Sequence, residues 1–266
     1  MNSVEAAMTN GGTDINTSSL LIASSLILVT LFFSYWQKLK LEKDTIIAVV
    51  RAVVQLIAVG FLLEYIFGLD NPLFTALMLL VMMSVAAVNA AKRGRAIPRV
   101  RTISFVAIFV GAALTLAVLL ASRALHFAPA QVIPVGGMVI SNAMIAIGLC
   151  YRALISNFTS RRGEVEARVA LGATRKLAAM PIIRDSLRTG MVPTVDSAKT
   201  LGIVSLPGMM TGLILAGASP LLAIKYQIMV TFMLLSTTSI ASFVACYIAY
   251  RMFFNERSQL ISIPAN

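Results

Sequence analysis

The chain has 266 residues, 58% of them hydrophobic and 12% charged, with a mean hydropathy of +0.87. A soluble domain carries roughly 25% charged residues, so a single soluble core is excluded for want of polar surface to cover it. Twenty-two Lys and Arg against 11 Asp and Glu give a net charge of +11. At this hydropathy the excess marks cytoplasmic loops facing anionic lipid, and no nucleic-acid partner is expected.

Residues 1–17 are polar and Gly-containing and read as a disordered extracellular leader. The first apolar run, Ser19–Tyr35, follows Glu5 and Asp14 in place of a basic n-region, and no clear cleavage site succeeds it. It reads as a span and not as a cleavable signal peptide. Six further runs follow: Thr45–Phe67, Pro72–Ala91, Thr102–Ala121, Gln131–Tyr151, Thr200–Ala218 and Tyr226–Tyr250. Each approaches the roughly 20 residues that a helical span needs. Lipid leaves no partner for an open backbone, so the runs are predicted as helices. The fold class expected is an all-α, polytopic integral membrane helical bundle of about seven transmembrane helices.

The loops set orientation. Lys38, Lys40 and Lys43 follow the first run, and Lys92, Arg93, Arg95, Arg99 and Arg101 follow the third. Arg152, Arg161, Arg162, Arg168, Arg175, Lys176, Arg184, Arg188 and Lys199 lie in or beside the fifth loop, and Arg251 and Arg257 in the tail. Arg123 and Lys225 stand alone in the other two loops, so alternate sides receive 19 and 2 basic residues. Basic residues stay cytoplasmic, which predicts an N-terminus outside and a C-terminus inside. One transmembrane domain over 18–254 follows, with a cytoplasmic loop at 156–199 and a cytoplasmic tail at 255–266.

Ionisable groups at membrane depth are functional candidates by default. Arg51 enters the second run, Gln55 lies one turn further on the same face, and Glu64 sits near the outer end. Arg51 suits snorkelling or a structural pair as well as a cavity role. Glu64 suits the interface equally. Asn89, Asn142 and Gln227 can bond between helices. Asn142 stands among Gly136, Gly137, Gly148 and the neighbouring Met138 and Met144. These glycines serve either close packing or a broken helix with carbonyls turned to a cavity, and the same choice applies to Pro207-Gly208-Met209-Met210. Arg51, Gln55, Glu64, Asn142, Met144, Met209 and Met210 form the expected substrate pathway. Fe²⁺ prefers imidazole and carboxylate, which the spans scarcely offer, so no metal site is assigned. Cys150 and Cys246 read as small apolar core residues, and the single His126 removes His-based zinc chemistry.

Within 156–199, Val165, Val169, Leu177 and Met180 alternate with charges at helical spacing. Gly172-Ala173-Thr174 marks a turn with Thr174 as a helix N-cap, and Pro181 and Pro193 are read as further breaks. Such short amphipathic helices make a docking surface or lie on lipid. No nucleotide-binding or hydrolytic motif occurs, so the chain is expected not to be an enzyme.

The run Glu166-Ala167-Arg168-Val169-Ala170-Leu171-Gly172-Ala173-Thr174 resembles the cytoplasmic loop of ABC transporter permeases. There Glu-Ala and a Gly six positions on form a coupling helix seated in a cleft of the ATPase. Arg168 replaces the second Ala of that importer pattern, and no Leu-Pro follows Ile182. The segments 132–144 and Ser205-Leu206-Pro207-Gly208-Met209-Met210-Thr211-Gly212 narrow the resemblance, as does Gly217-Ala218-Ser219-Pro220 running on to Tyr226-Gln227. Together they resemble the FetB-type family of permeases, bacterial iron exporters partnered by a separate ATPase, FetA. A plant aluminium-tolerance permease associated with UDP-glucose transport belongs to the same family. The resemblance covers Thr45–Phe254, with Ser141 standing where a Gly is expected.

It implies a multi-pass permease of the bacterial inner membrane, exporting iron or another metal. The alternatives are export of UDP-glucose or another organic solute, and, less favoured, a non-transporting scaffold. It also implies coupling to the ATPase through Glu166, Ala167, Leu171, Gly172, Ala173, Thr174 and Arg175. ATP and Mg would be used by that partner, with no cofactor in this chain. Two ATPases need two docking loops, so a permease homodimer is expected.

Overall fold

The computed structural model describes residues 22–69 and 71–261. The chain divides into two compact units, one formed by Met1–Asp70 with Gly212–Ser219, the other by Asn71–Thr211 with Pro220–Asn266. The expected leader at 1–17 and the last residues of the tail, 262–266, lie outside the described residues.

In the first unit, α1 (Leu26–Trp36) and α2 (Glu42–Leu69) are joined by a turn in which Lys38 and Lys40 take positive φ. Ser34 ties the turn together: its Oγ donates to Glu42 Oε1 at 2.8 Å and accepts from the Leu41 N–H at 3.3 Å. α2 has 28 residues, about 42 Å of helix. Its Val53, Val54, Leu56, Ile57 and Phe61 are all exposed, as lipid-facing side chains are.

The second unit begins with α3 (Pro72–Ala91). Asn71 caps it by accepting from the Leu73 N–H at 2.9 Å, and Pro72 occupies the first turn, where its missing N–H costs nothing. A 3₁₀ turn (Lys92–Gly94) leads to α4 (Val100–Ala121), and α5 (Pro129–Ser160) follows with 32 residues. Then come α6 (Arg162–Ala170), α7 (Arg175–Thr200), α8 (Gly208–Leu215), which ends in the first unit's Gly212–Ser219, and α9 (Pro220–Ala249), closed by a 3₁₀ turn at Tyr250–Phe253. Among the described residues there is no strand, only two isolated bridges. The protein is a polytopic helical membrane protein.

Small residues let these helices close up, as membrane packing without a hydrophobic driving force requires. Ala107, Ala112, Ala241 and Ala245 are fully buried where α4 meets α9. A Cβ built on Gly111 would stand 3.0 Å from that of Ala241. Thr237 donates to Thr115 across the same contact at 2.7 Å, so neither hydroxyl is stranded. Cys150 and Cys246 are both buried and free, in the core positions expected of them.

The segment 156–199 departs from the expected loop. Its first residues complete α5, and Pro181 and Pro193 lie inside α7 without ending it. Proline should break a helix by deleting a hydrogen bond and clashing with the preceding turn. Here tertiary packing wins: Ala178, Ala179, Ile182, Ile183, Ser186 and Gly190 form a buried face along α7. That face runs antiparallel to α5, with Asn157 donating to Ser186 at 3.5 Å and Gly190 set against Cys150 and Ala146. Lys199, grouped by sequence with the loop's basic residues, therefore stands at the far end of a 26-residue helix, paired with Asp196 at 2.8 Å.

The predicted sixth span, Thr200–Ala218, is not a continuous helix either. Among the described residues, five helices are long and apolar enough to cross a membrane: α2, α3, α4, α5 and α9, with α3 and α9 extended by their adjoining 3₁₀ turns. After Thr200 the backbone turns through Gly202 at φ +80, with the Gly202 N–H donating to the Ser205 carbonyl at 3.0 Å. Pro207 then precedes the eight-residue α8, which ends at Gly217 with φ +89. Between Gly202 and Pro207 no regular helix survives, because glycine favours the left-handed turn and proline cannot supply an N–H to continue. α5 and α9 run in the same direction, since Phe158 and Phe253 at their final ends stack at 4.3 Å. The chain between them must therefore return to the opposite end, and α7 begins that return.

Candidate functional site: a cavity at the helix break and a groove on the loop

Where α7 ends, a cavity of about 280 Å³ opens between α5, α7 and α9, lined by Asn142, Gly190, Thr194, Ser197, Gln227 and Thr231 among others, with Leu201 and Pro207 closing it at the break. A discontinuous helix beside a cavity is a recurrent way to place polar groups at membrane depth. The wall carries no ionisable side chain.

Some of its donors are turned inward. Asn142 Nδ2 donates to the Met138 carbonyl at 2.9 Å and Thr231 Oγ1 to the Gln227 carbonyl at 2.8 Å. Thr194 Oγ1 donates to Thr238 at 3.5 Å. The oxygens of Asn142, Thr194 and Thr231 keep lone pairs for a guest, while the Ser197 hydroxyl and the Gln227 amide add donors. Gln227 Oε1 is buried with no hydrogen-bond partner at all. Such an orphan costs about 1–3 kcal/mol, and it belongs to a residue that lines the cavity. The wall is thus neutral and carries both acceptor oxygens and donors, a set that suits a hard cation in passing or a polar solute. Among the described residues no group of three or more His, Cys, Asp or Glu could hold a metal ion.

Of the sequence-predicted pathway, Asn142 lines this cavity. Met144 and Met209 pack against the hydrophobic core, and neither they nor Met210 lie on the wall. Flexible thioethers fill gaps between helices, which is their use here. Arg51, Gln55 and Glu64 lie on α2, exposed, and make no ion pair or side-chain hydrogen bond with a described residue. Thr194, Ser197 and Thr231 were missed. The available signal was spacing: Gly190, Thr194, Ser197 and Leu201 recur on one helical face, as do Gln227 and Thr231.

The loop end of the unit is held by charge. Glu164 Oε2 accepts from Arg161 at 2.7 Å, while its Oε1 meets Arg168 at 2.6 Å. Arg161 also reaches Asp185 at 2.8 Å, tying α6 to α7. The Arg161 hydrogen bond outweighs desolvation and, with the smaller attractions of Arg161 and Arg168, holds the Glu164 carboxyl below its ordinary range. Reciprocally, Glu164 raises the Arg161 guanidinium.

α6 ends as a Schellman motif: the Gly172 N–H donates to the Val169 carbonyl and the Ala173 N–H to that of Arg168, both at 3.0 Å. Gly172 takes φ +90, and a Cβ there would touch nothing within 4 Å, so backbone conformation alone selects glycine. Thr174 caps α7 by accepting from the Leu177 N–H at 3.3 Å. Between the two helices lies an open groove of about 640 Å³, lined by Leu171, Gly172, Ala173, Leu177, Arg168 and Arg184 among others. Leu171 is 88% exposed and Leu177 63% exposed.

Two expected coupling residues are already engaged. Glu166 pairs with Arg162 at 2.7 Å, one turn back on α6, because i,i+4 opposite charges on a helix face one another. Arg175 is held by the tail, donating to Ser258 Oγ at 2.8 Å and to the Glu256 carbonyl at 2.6 Å. Ala167 is exposed on α6.

The profile of the uncharacterised protein family UPF0014 matches residues 17–254. The chain is 51% identical over 248 residues to "Probable iron export permease protein FetB" of Escherichia coli (strain K12), covering 93% of this chain and 96% of that one. It is 36% identical over 235 residues to "Protein ALUMINUM SENSITIVE 3" of Arabidopsis thaliana, covering 88% and 86%. To "UPF0014 membrane protein YjkA" of Bacillus subtilis (strain 168) it is 37% identical over 247 residues, covering 91% and 97%. No solved structure matches the chain.

Proposed function

The chain belongs to the UPF0014 family, and on that footing we propose that it is the membrane subunit of a metal exporter, with iron as the first substrate to test. The observation that carries this reading is the 51% identity, along nearly the whole of both chains, to a protein named as an iron export permease. The cavity agrees with it. Neutral acceptor oxygens bind a cation weakly enough to release it, which export requires and a tight carboxylate or thiolate site would prevent.

Energy comes from a separate cytoplasmic ATPase, since the sequence holds no nucleotide-binding motif of its own. The ATPase seats on the α6–α7 groove, where exposed Leu171 and Leu177 offer apolar area and Arg168 and Arg184 fix register. α7 joins this groove to the cavity as one helix, so a push at Leu177 is delivered at Ser197. Two such subunits, each docking one ATPase, form the working exporter in the bacterial inner membrane.

The second reading is export of an organic solute such as a nucleotide sugar, and the neutral hydrogen-bonding wall is what favours it. One experiment separates the two. The permease and its ATPase are reconstituted in proteoliposomes, and ATPase rate and solute movement are followed with Fe²⁺, other divalent metals and UDP-glucose. Stimulation and ATP-dependent movement of metal support the first reading. Stimulation by UDP-glucose alone replaces it with the second, and stimulation by neither removes transport of both.

A further inference from the structure

We propose that the second unit binds an anionic phospholipid, its acyl chain in a groove between α4 and α9 and its phosphate on Arg123 and Lys225. The groove has a volume of about 550 Å³, within the roughly 300–1,000 Å³ usual for ligand pockets. Its walls are Leu114 and Val118 from α4 with Ile228, Met229 and Phe232 from α9. Val118 is 60% exposed and Phe232 68% exposed, so the apolar slot is open along its length.

Charge collects at one end. Lys225, on the first turns of α9, lines the groove, and so do Ser122 and Ala124, the two residues that flank Arg123. These are the two basic residues that stand apart from the other loops in the sequence, and the fold sets Lys225 and both chain neighbours of Arg123 along one groove. Neither has a carboxylate partner among the described residues. No Asp or Glu occurs between Asn71 and Gly163 or between Ser197 and Asn255, so none can reach them from α3, α4, α5 or α9.

The backbone adds a second sign. Arg123 takes φ +56 at the end of α4, with the Arg123 N–H donating to the Leu120 carbonyl and the Ala124 N–H to that of Leu119, each at 3.1 Å. This is the helix-ending position that glycine fills most easily, yet here it carries a guanidinium. Two unpaired cations beside an apolar slot match an amphiphile with an anionic head. Arg and Lys both bind phosphate, Arg with a fork that grips two oxygens. Basic pockets between transmembrane helices hold lipid headgroups in this way.

The test uses the purified full-length protein in neutral detergent. Thermal stabilisation is titrated with dioleoylphosphatidylglycerol, dioleoylphosphatidylcholine and glycerol 3-phosphate, and native mass spectrometry counts retained lipid. For the wild type, phosphatidylglycerol should half-saturate at a concentration at least about fivefold lower than phosphatidylcholine, with no effect of glycerol phosphate. Arg123→Gln with Lys225→Gln should erase that preference, and Ser236→Phe, which fills the groove, should weaken both lipids. Arg123→Gly keeps the test decisive if the double variant folds poorly, because it relaxes the left-handed turn while deleting the charge: it should fold well and still lose much of the preference. The proposal fails if Arg123→Gly and the double variant keep the full preference. It fails equally if glycerol phosphate alone stabilises the protein, or if Ser236→Phe converts a dimer to a monomer, which would give the groove to a second copy of the chain.

Discussion

Gln227 shows most directly how a single residue trades stability for use. Its Oε1 is buried without a partner among the described residues while the residue lines the cavity, a state that lowers stability. Gln227→Leu should therefore raise the melting temperature slightly, since an apolar side chain removes the orphan acceptor. The same change should cut metal export about tenfold, the worth of one hydrogen bond or ligand contact. Melting by fluorescence and transport in proteoliposomes check the two halves, and loss of stability together with export would make Gln227 a packing residue. Outside the membrane, Glu164 sets a pH dependence. Its carboxyl is held below the ordinary range by Arg161 and Arg168, so the ionised form is favoured in the folded state. The contribution is complete above the ordinary glutamate range and is lost as pH falls through the lowered value. Between neutral and acid pH, wild type should lose more stability than Glu164→Gln, which has no proton to gain at that site. Parallel melting curves for the two from pH 7 to pH 4 would contradict this account.

At the scale of the element, α7 decides how the site is built. Its charged side chains Arg184, Asp185 and Arg188 are exposed, while Ile182, Ile183, Ser186 and Gly190 are buried. Charge dominates the hydropathy of such a segment, which is why it reads as a loop in the sequence. Prolines reinforce that reading, and only the antiparallel contact with α5 shows that they are tolerated. Gly190 lies at a close approach in that contact: a Cβ would overlap Cys150 Sγ and lie 2.9 Å from the Ala146 carbonyl. Gly190→Val must push α7 off α5 and should destabilise the protein by about 2 kcal/mol or more. Gly163, on α6, meets nothing within 4 Å, so Gly163→Ala should be neutral or stabilise by up to about 1 kcal/mol through helix propensity. Urea titration of both variants tests the contrast, and equal effects would mean that α7 is not packed as described. The α6–α7 turn was more legible than α7 itself. Thr174 before a helical run and Gly172 before Thr174 are local signals, fixed by backbone chemistry whatever the helices pack against.

For the whole molecule, the long apolar runs were legible because a span has one way to satisfy its backbone in lipid. Among the described residues, five of the seven runs are long helices. The path between α5 and α9 was not legible, since a broken crossing carries Gly202, Pro207 and Gly217 in place of 20 apolar residues. That path determines topology. α5 and α9 both end beside Phe158 and Phe253, whereas α9 starts beside the end of α4, where Lys225 and Ser122 line one groove. The residues around Ala124 and those around Arg257 therefore belong to opposite ends of the second unit. If the basic residues near Arg161 and Arg184 are cytoplasmic, Ala124 faces outward and Arg257 inward. Cys150 and Cys246 are buried, so the unaltered chain supplies a blank for thiol labelling. In intact cells an impermeant maleimide should modify Ala124→Cys, and it should reach Arg257→Cys only after permeabilisation. Modification of both from outside would show that the segment from α7 through α8 does not return the chain across the bilayer. The reverse pattern would keep the fold and invert its orientation, placing the α6–α7 groove beyond the reach of any cytoplasmic ATPase.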